Sequence, residues 1–209
     1  MKVKTLLELL HQEYKNPKTE LNNWTNTAQF MACVILSAQA TDKQVNKISS
    51  NLFNKYKTLD DFANANLSDI ESLVSSINYY KTKAKRIIDA SQFIQNNFGG
   101  KFPDKIDKLI KIPGIGRKSA NVILQETMGL SQGIVVDTHV TRVSHRLGLV
   151  KNQANAEKIE SELITKIPKN EWQFFSQTIV LHGRYVCKAK KPNCEECVLN
   201  KICPSAFKV

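Results

Sequence analysis

The chain has 209 residues, 42% of them hydrophobic, which is enough to bury a core as one large domain or two small ones. Thirty Lys and Arg against 19 Asp and Glu give a net charge of +11 and a pI near 9.4, which fits either a polyanionic partner or a solvated basic surface. The longest apolar run, Phe30 to Leu36, is far below the ~20 residues that cross a bilayer, so a spanning helix is excluded.

The N-terminal stretch Met1-Lys-Val-Lys-Thr-Leu-Leu-Glu-Leu-Leu meets Glu8 and His11 before any signal-length apolar segment or cleavage site. It reads as an amphipathic helix of a cytosolic protein. Residues Thr27 to Gln39 are apolar on nearly every face, which predicts a buried central helix with Cys33 as an ordinary core residue. Thr41-x-x-Gln44 fits a capping box that opens a helix running towards Lys55 and leaves Ser37-Ala-Gln-Ala40 at the junction. Single apolar stripes predict further helices through Ala84, Ile87, Ile88, Ile94 and Phe98, then through Ala156, Ile159, Leu163 and Ile167, then through Trp172, Phe175 and Ile179. Gly99-Gly100, Pro103 and the stretch from Gly129 to Gly133 punctuate them. No alternating strand pattern is found, so the fold class is all-α.

The segment Leu109-Ile-Lys-Ile-Pro-Gly-Ile-Gly-Arg-Lys-Ser-Ala-Asn-Val-Ile-Leu124 reads as helix, tight turn, helix. Pro113 is expected to stop the first helix, and Gly114 and Gly116 to permit backbone geometry and close approach that a side chain would block. Such a turn presents amide hydrogens at the start of the second helix, where they hold a phosphate without reading a base. A plain αα-corner is the simpler alternative. Lys118 falls in the first turn of that second helix, against the helix dipole. Two reasons would justify it: a phosphate contact, or an amine made nucleophilic by the dipole, by desolvation and by nearby cations.

Four of the five cysteines stand as Cys187-x6-Cys194-x2-Cys197-x5-Cys203. The odd count and the tight clustering suit a reducing compartment and a metal site better than a disulfide framework. From the residues alone, a [4Fe–4S] cluster, a structural zinc and a pair of disulfides all remain open. The loop between the first two cysteines carries Lys188, Lys190 and Lys191, with Arg184 just before it. These cations could neutralise phosphates and steepen the salt dependence of binding, or could simply solubilise the loop.

Taken together, Leu36-Ser-Ala-Gln-Ala-Thr-Asp42, the hairpin segment, Val136-Asp-Thr-His139, Leu181-His-Gly-Arg184 and the four cysteines resemble the endonuclease III family over essentially the whole chain. That family belongs to the helix-hairpin-helix superfamily and combines DNA glycosylase with abasic-site lyase activity. The resemblance implies Lys118 as the nucleophile and Asp137 as the essential aspartate, a position that otherwise reads as the N-cap of a helix through Val140, Val143 and Leu147. It implies that Gln39 fills the gap left by an extruded nucleotide, where the residues alone allow a buried amide satisfied by a turn. His139 reads as a DNA contact or as a packed histidine. The four cysteines match the family's spacing for a [4Fe–4S] cluster. Two departures stand out: Asn78-Tyr79-Tyr80 replaces the usual Gly-Leu-Tyr of the loop that wedges the opposite strand, and the linker from Lys118 to Asp137 is one residue longer. Tyr79 is then an aromatic wedge, unless it packs against Tyr80 or a neighbouring helix.

The resemblance further implies a six-helix domain near residues 20 to 130 that contains the hairpin, and a cluster domain made of residues 1 to 19 and 131 to 209, with Lys118 and Asp137 meeting at a cleft. The expected partner is double-stranded DNA with damaged pyrimidines or abasic sites, bound by a monomer. A monofunctional adenine-removing relative would lack a lysine at position 118. A non-catalytic DNA binder would leave an abasic oligonucleotide intact.

Overall fold

The computed structural model describes residues 2–151 and 155–209. Every regular element among them is helical: α1 (Val3–Glu13), α2 (Thr27–Leu36), α3 (Asp42–Lys55), α4 (Leu59–Ala63), α5 (Leu67–Leu73), α6 (Tyr80–Phe98), α7 (Ile106–Leu109), α8 (Arg117–Met128), α9 (Thr138–Arg146), α10 (Ala156–Ile164) and α11 (Trp172–Tyr185), with one 3₁₀ turn at Lys169–Glu171. The chain divides into two compact units, Thr19–Leu130 and the pair Met1–Lys18 with Ser131–Val209. No helix among the described residues is long and apolar enough to cross a membrane.

The Thr19–Leu130 unit is built around α2. Asn26 caps this helix by accepting from the Gln29 amide, and every residue from Ala28 to Leu36 is buried. Phe30, Met31, Ala32, Cys33 and Leu36 have no exposed surface. Burying a side chain such as Phe30 contributes about 1.5–3 kcal/mol, and truncating it to Ala would cost about 3–5 kcal/mol. Around α2 pack α3, α6 and α8, the longest of them, α6, turning Ala84, Ile87, Ala90 and Ile94 inward at helical spacing. The predicted capping box is present, with the Thr41 side chain and that of Gln44 each satisfying the other's amide.

Two boundaries and one helix count differ from the sequence reading. Helix α2 ends at Leu36 and not Gln39: the Ser37 amide makes the last helical bond, to the Cys33 carbonyl, and the chain then turns, with the Ala40 amide on the Ser37 carbonyl and Gln39 at a left-handed φ of 53°. The first hairpin helix ends at Leu109, four residues before Pro113, since successive i to i+3 bonds from Lys111 to Lys108 and from Ile112 to Leu109 have already tightened the chain into turns. Proline therefore does not stop that helix. The unit holds seven α-helices among its described residues, α2 to α8, where six are expected; α4, α5 and α7, of five, seven and four residues, are too short to carry a periodic signal.

The other unit has its own core of Leu6, Leu7 and Leu10 from α1, Val140 and Val143 from α9, Ile159 and Leu163 from α10, and Phe175 and Ile179 from α11. The α10 helix ends at Ile164, with Ile167 buried just beyond it.

Candidate functional site

The hairpin is anchored by Ile112 and Ile115, which are buried and joined by a backbone bond of 3.0 Å across the turn. Between them Gly114 has φ +81°, and a Cβ there would stand 3.2 Å from Cδ of Arg86. Gly116 is different. Its φ of −88° and ψ of 175° are open to any residue, and an added Cβ would meet nothing within 4 Å. The space before Gly116 is thus left clear for something outside the protein. Gly116 is also the N-cap of α8 and has no side chain to satisfy that helix's first amides. An uncapped helix start on the positive end of a dipole is a site for phosphate.

Lys118 is the second residue of α8 and is exposed. The side chain is therefore open to solvent in the free protein. What the fold supplies is placement beside the amide-rich helix end.

Gln39 and Tyr79 share an unusual geometry. Both are exposed, Tyr79 to 68%, and both are left-handed, with φ of 53° and 59°. That conformation costs an L-residue about 1–2 kcal/mol. Gln39 lies at the tip of a turn closed by the Ala40 amide on the Ser37 carbonyl (3.1 Å), and Tyr79 is the N-cap of α6 without a side-chain cap bond. Neither side chain is buried, so the packed alternatives for both are not what the fold adopts. Strained, exposed side chains at loop tips are characteristic of functional positions.

Asp137 caps α9. Its Oδ1 accepts from the amides of His139 and Val140, both at 2.8 Å. Oδ2 has no bond to a described residue, so one carboxylate oxygen holds the helix while the other stays available. His139 turns towards α11: a Cβ on Gly183 would stand 2.8 Å from Cβ of His139, and Nδ1 of His139 meets Nη2 of Arg142 at 3.2 Å. The packed reading describes His139, and the glycine of Leu181-His-Gly-Arg184 makes room for it.

The four cysteines line one cavity together with Arg146, His182 and Leu199. All of them are free thiols. Burial pushes the Cys197 thiol up, and the other three cysteines push the same way, while the Leu199 amide opposes them. Burial also raises Cys203, against the amides of Ser205 and Ala206. Four thiolates gathered in this way repel one another unless a cationic centre neutralises them. Among the described residues no group of three or more His, Cys, Asp or Glu is arranged to hold a single metal ion. Four thiols gathered on one cavity are a donor set that suits a [4Fe–4S] cluster as well as zinc.

Two arginines that the sequence reading passed over organise this loop. Arg142 donates to the carbonyls of Gly183 (2.8 Å) and Cys187 (3.1 Å), and Arg146 donates to those of Lys188 (2.7 Å) and Ala189 (3.1 Å) and to Sγ of Cys187 (3.3 Å). Their i, i+4 spacing on α9 was visible, but their targets, some 40 residues on, were not. His182 lies beneath, buried; its Nδ1 meets the Tyr14 hydroxyl at 2.9 Å, its Nε2 meets Sγ of Cys197 at 3.5 Å, and burial pushes its pKa down to about 4. With the proton on Nε2, the ring can donate to sulfur. Lys188, Lys190 and Lys191 are exposed on the pinned loop, and Arg184 is half-buried in the last turn of α11.

Residues 32–169 match the sequence model of the HhH-GPD superfamily base excision DNA repair proteins, and residues 187–203, from the first cluster cysteine to the last, match the iron-sulfur binding domain of endonuclease III. Hairpin and fold thus define the class as helix-hairpin-helix DNA glycosylases. An endonuclease III from Synechocystis sp. is 40% identical over 96% of this chain and 91% of its own length. The structure is also similar to that of an endonuclease III in a non-covalent DNA complex (TM-score 0.89, 35% identity, 98% of this chain and 94% of that one) and to that of a trapped endonuclease III–DNA covalent intermediate (0.89, 35%, 98% and 95%). The chain belongs to the endonuclease III family, and its cofactor is a [4Fe–4S] cluster.

Proposed function

We propose that this DNA glycosylase and abasic-site lyase releases oxidised pyrimidines from duplex DNA through Lys118 and Asp137. The observation that carries the reading is the exposed amine of Lys118 in the first turn of an uncapped helix, immediately after a hairpin shaped to hold phosphate. The hairpin amides and the open face at Gly116 seat the backbone, and the damaged nucleotide leaves the stack. Gln39 takes its place, while Tyr79 props the opposite strand. Desolvation of the Lys118 amine comes from the nucleotide that covers it.

The Lys118 nitrogen attacks C1′ of the deoxyribose and the bond from C1′ to the base breaks. Oδ2 of Asp137 stabilises the positive charge that develops on the sugar or carries a proton to the departing base, while Oδ1 keeps the group fixed on α9. The sugar ring then opens: the C1′–O4′ bond breaks, the lysine nitrogen gives up one proton and O4′ takes one up, and the protonated imine so formed at C1′ acidifies the C2′ proton. Its loss expels the 3′ phosphate by β-elimination, and hydrolysis returns the lysine amine. Cys187, Cys194, Cys197 and Cys203 are the proposed ligands of the cluster, which when bound closes the loop bearing Lys188, Lys190 and Lys191 and gives those cations a fixed place against phosphates. The substrate is the DNA of the nucleoid, in the cytoplasm, and the enzyme acts as a monomer.

Incubation with a duplex carrying one thymine glycol, in the presence of EDTA, tests this reading. Free base and a strand cut on the 3′ side of the lesion, ending in an unsaturated sugar, are expected. Release of base with an intact strand would remove the lyase step, and an untouched duplex would overturn the substrate.

A further inference from the structure

Lys81, Lys85 and Arg86 on α6 are exposed, but Lys83 in the same run is only 3% exposed. Its Nζ donates to the carbonyl of Leu36, 47 residues away, at 2.9 Å, and no carboxylate pairs with it among the described residues. Such a placement is costly. A buried ammonium without a counter-charge is unfavourable, and burial holds this amine below the usual lysine range. Lys83 also sits in the first turn of its own helix, the end that disfavours cations. A methionine would fill the same space without these costs.

What Lys83 touches explains its position. Leu36 is the last residue of α2, so its carbonyl is one of the helix-end acceptors and sits on the negative end of that dipole. Three residues later comes Gln39. At the other end, the backbone amide of Lys83 donates to the carbonyl of Tyr79 at 3.1 Å. One residue is therefore fastened by its side chain to the segment that launches Gln39 and by its backbone to Tyr79. These are the two residues proposed to enter the duplex, both exposed and left-handed. A tip that must part a base stack works only if its base does not yield, and a left-handed residue relaxes when its neighbours are released.

The geometry points to Lys83 as a positioning residue for nucleotide extrusion, its buried ammonium tying the end of α2 to the start of α6 so that Gln39 and Tyr79 enter the duplex as a rigid pair. This rests on the assignment of Gln39 and Tyr79 as the inserting residues, and the test separates the two ideas. Lys83→Met, Lys83→Arg and Tyr79→Ala are compared with wild type on a thymine glycol duplex and on a single-stranded abasic oligonucleotide. Extrusion is followed separately by the fluorescence of 2-aminopurine placed beside the lesion. Lys83→Met should melt no lower than wild type, keep its cluster, and cut the single-stranded substrate within about twofold. On the duplex it should be about tenfold to a hundredfold slower, as a misplaced group commonly is, and the 2-aminopurine rise should be largely lost. Lys83→Arg, which keeps a cationic donor, should restore most of both. Should the methionine variant not fold, Lys83→Gln, whose amide is too short to hold Leu36, takes its place with the same expectation. A wild-type duplex rate for Lys83→Met alongside a slow Tyr79→Ala would overturn the role of Lys83 alone. Equal losses on both substrates with a lowered melting temperature would reduce Lys83 to packing. A Tyr79→Ala enzyme indifferent to the duplex would remove the insertion reading beneath it.

Discussion

Asp137 is both a helix cap and a proposed catalytic group, and substitution can pull the two apart. Asp137→Ala removes an acceptor of two amide bonds at 2.8 Å from the start of α9. Losing such a cap costs about 1 kcal/mol, and losing a carboxylate at a helix N-terminus about 0.3–1 kcal/mol more. In a chain of 209 residues each kcal/mol lowers the melting temperature by about 2–4 °C, so Ala should melt about 3–8 °C lower. Asp137→Asn retains the acceptor oxygen and forfeits only the charge, a loss of about 1–4 °C. Both variants should lose base release by about 10²–10³, the usual effect of removing one electrostatic stabiliser. The assay pairs a melting curve with single-turnover base release on thymine glycol duplex. An Asn variant with wild-type release would show that the carboxylate is only a cap, and release that fell in proportion to melting across the two variants would say the same.

The two hairpin glycines should behave differently: Gly114→Ala, forced to φ +81° beside Arg86, melts about 2–8 °C lower, whereas Gly116→Ala melts as wild type but binds lesion duplex about tenfold more weakly, because its methyl group enters the open space proposed to receive the phosphate. Equal melting losses would contradict the distinction. Tyr79→Ala should weaken lesion-duplex binding by about 1–3 kcal/mol in a titration with no change in melting, since the ring is already 68% exposed; a lowered melting point would instead mark a packing role. The purified protein should be brown, with iron and acid-labile sulfide in equal amounts. Cys194→Ser should lower soluble yield more than it lowers the specific activity of the cluster-bearing fraction, and stoichiometric zinc without iron in anaerobic preparations would contradict the ligand assignment.

The parts of this fold that sequence made legible are those written in local chemistry. Thr41 and Gln44 announce the start of α3, Asp137 that of α9, and nine consecutive buried residues leave α2 no place but the centre. The cysteines are legible for the same reason, since their ligand spacing is local. Short helices were missed because α4 and α5 are set by caps at Thr58 and Asn66 and not by a repeating stripe. The end of α7 was misplaced because successive turn bonds, and not the proline, close it. Exposure was harder still. Nothing in the spacing tells that Lys118 is exposed while Lys83 is buried. Arg142 and Arg146 look like surface charges until the carbonyls of Gly183, Cys187, Lys188 and Ala189 arrive from some 40 residues away. Burial and long-range partners are properties of the packed chain, and spacing along the sequence does not carry them.

The central claim is that the amine of Lys118 forms the covalent bond to DNA. Borohydride reduction during reaction with a thymine glycol duplex converts the imine into a stable adduct that gel electrophoresis and peptide mapping can locate. Wild type should trap in high yield on the peptide containing Lys118, and Lys118→Gln should still bind the duplex through the hairpin amides but give no adduct. An adduct formed by the glutamine variant in comparable yield, or mapped in wild type to a different amine, would contradict the account.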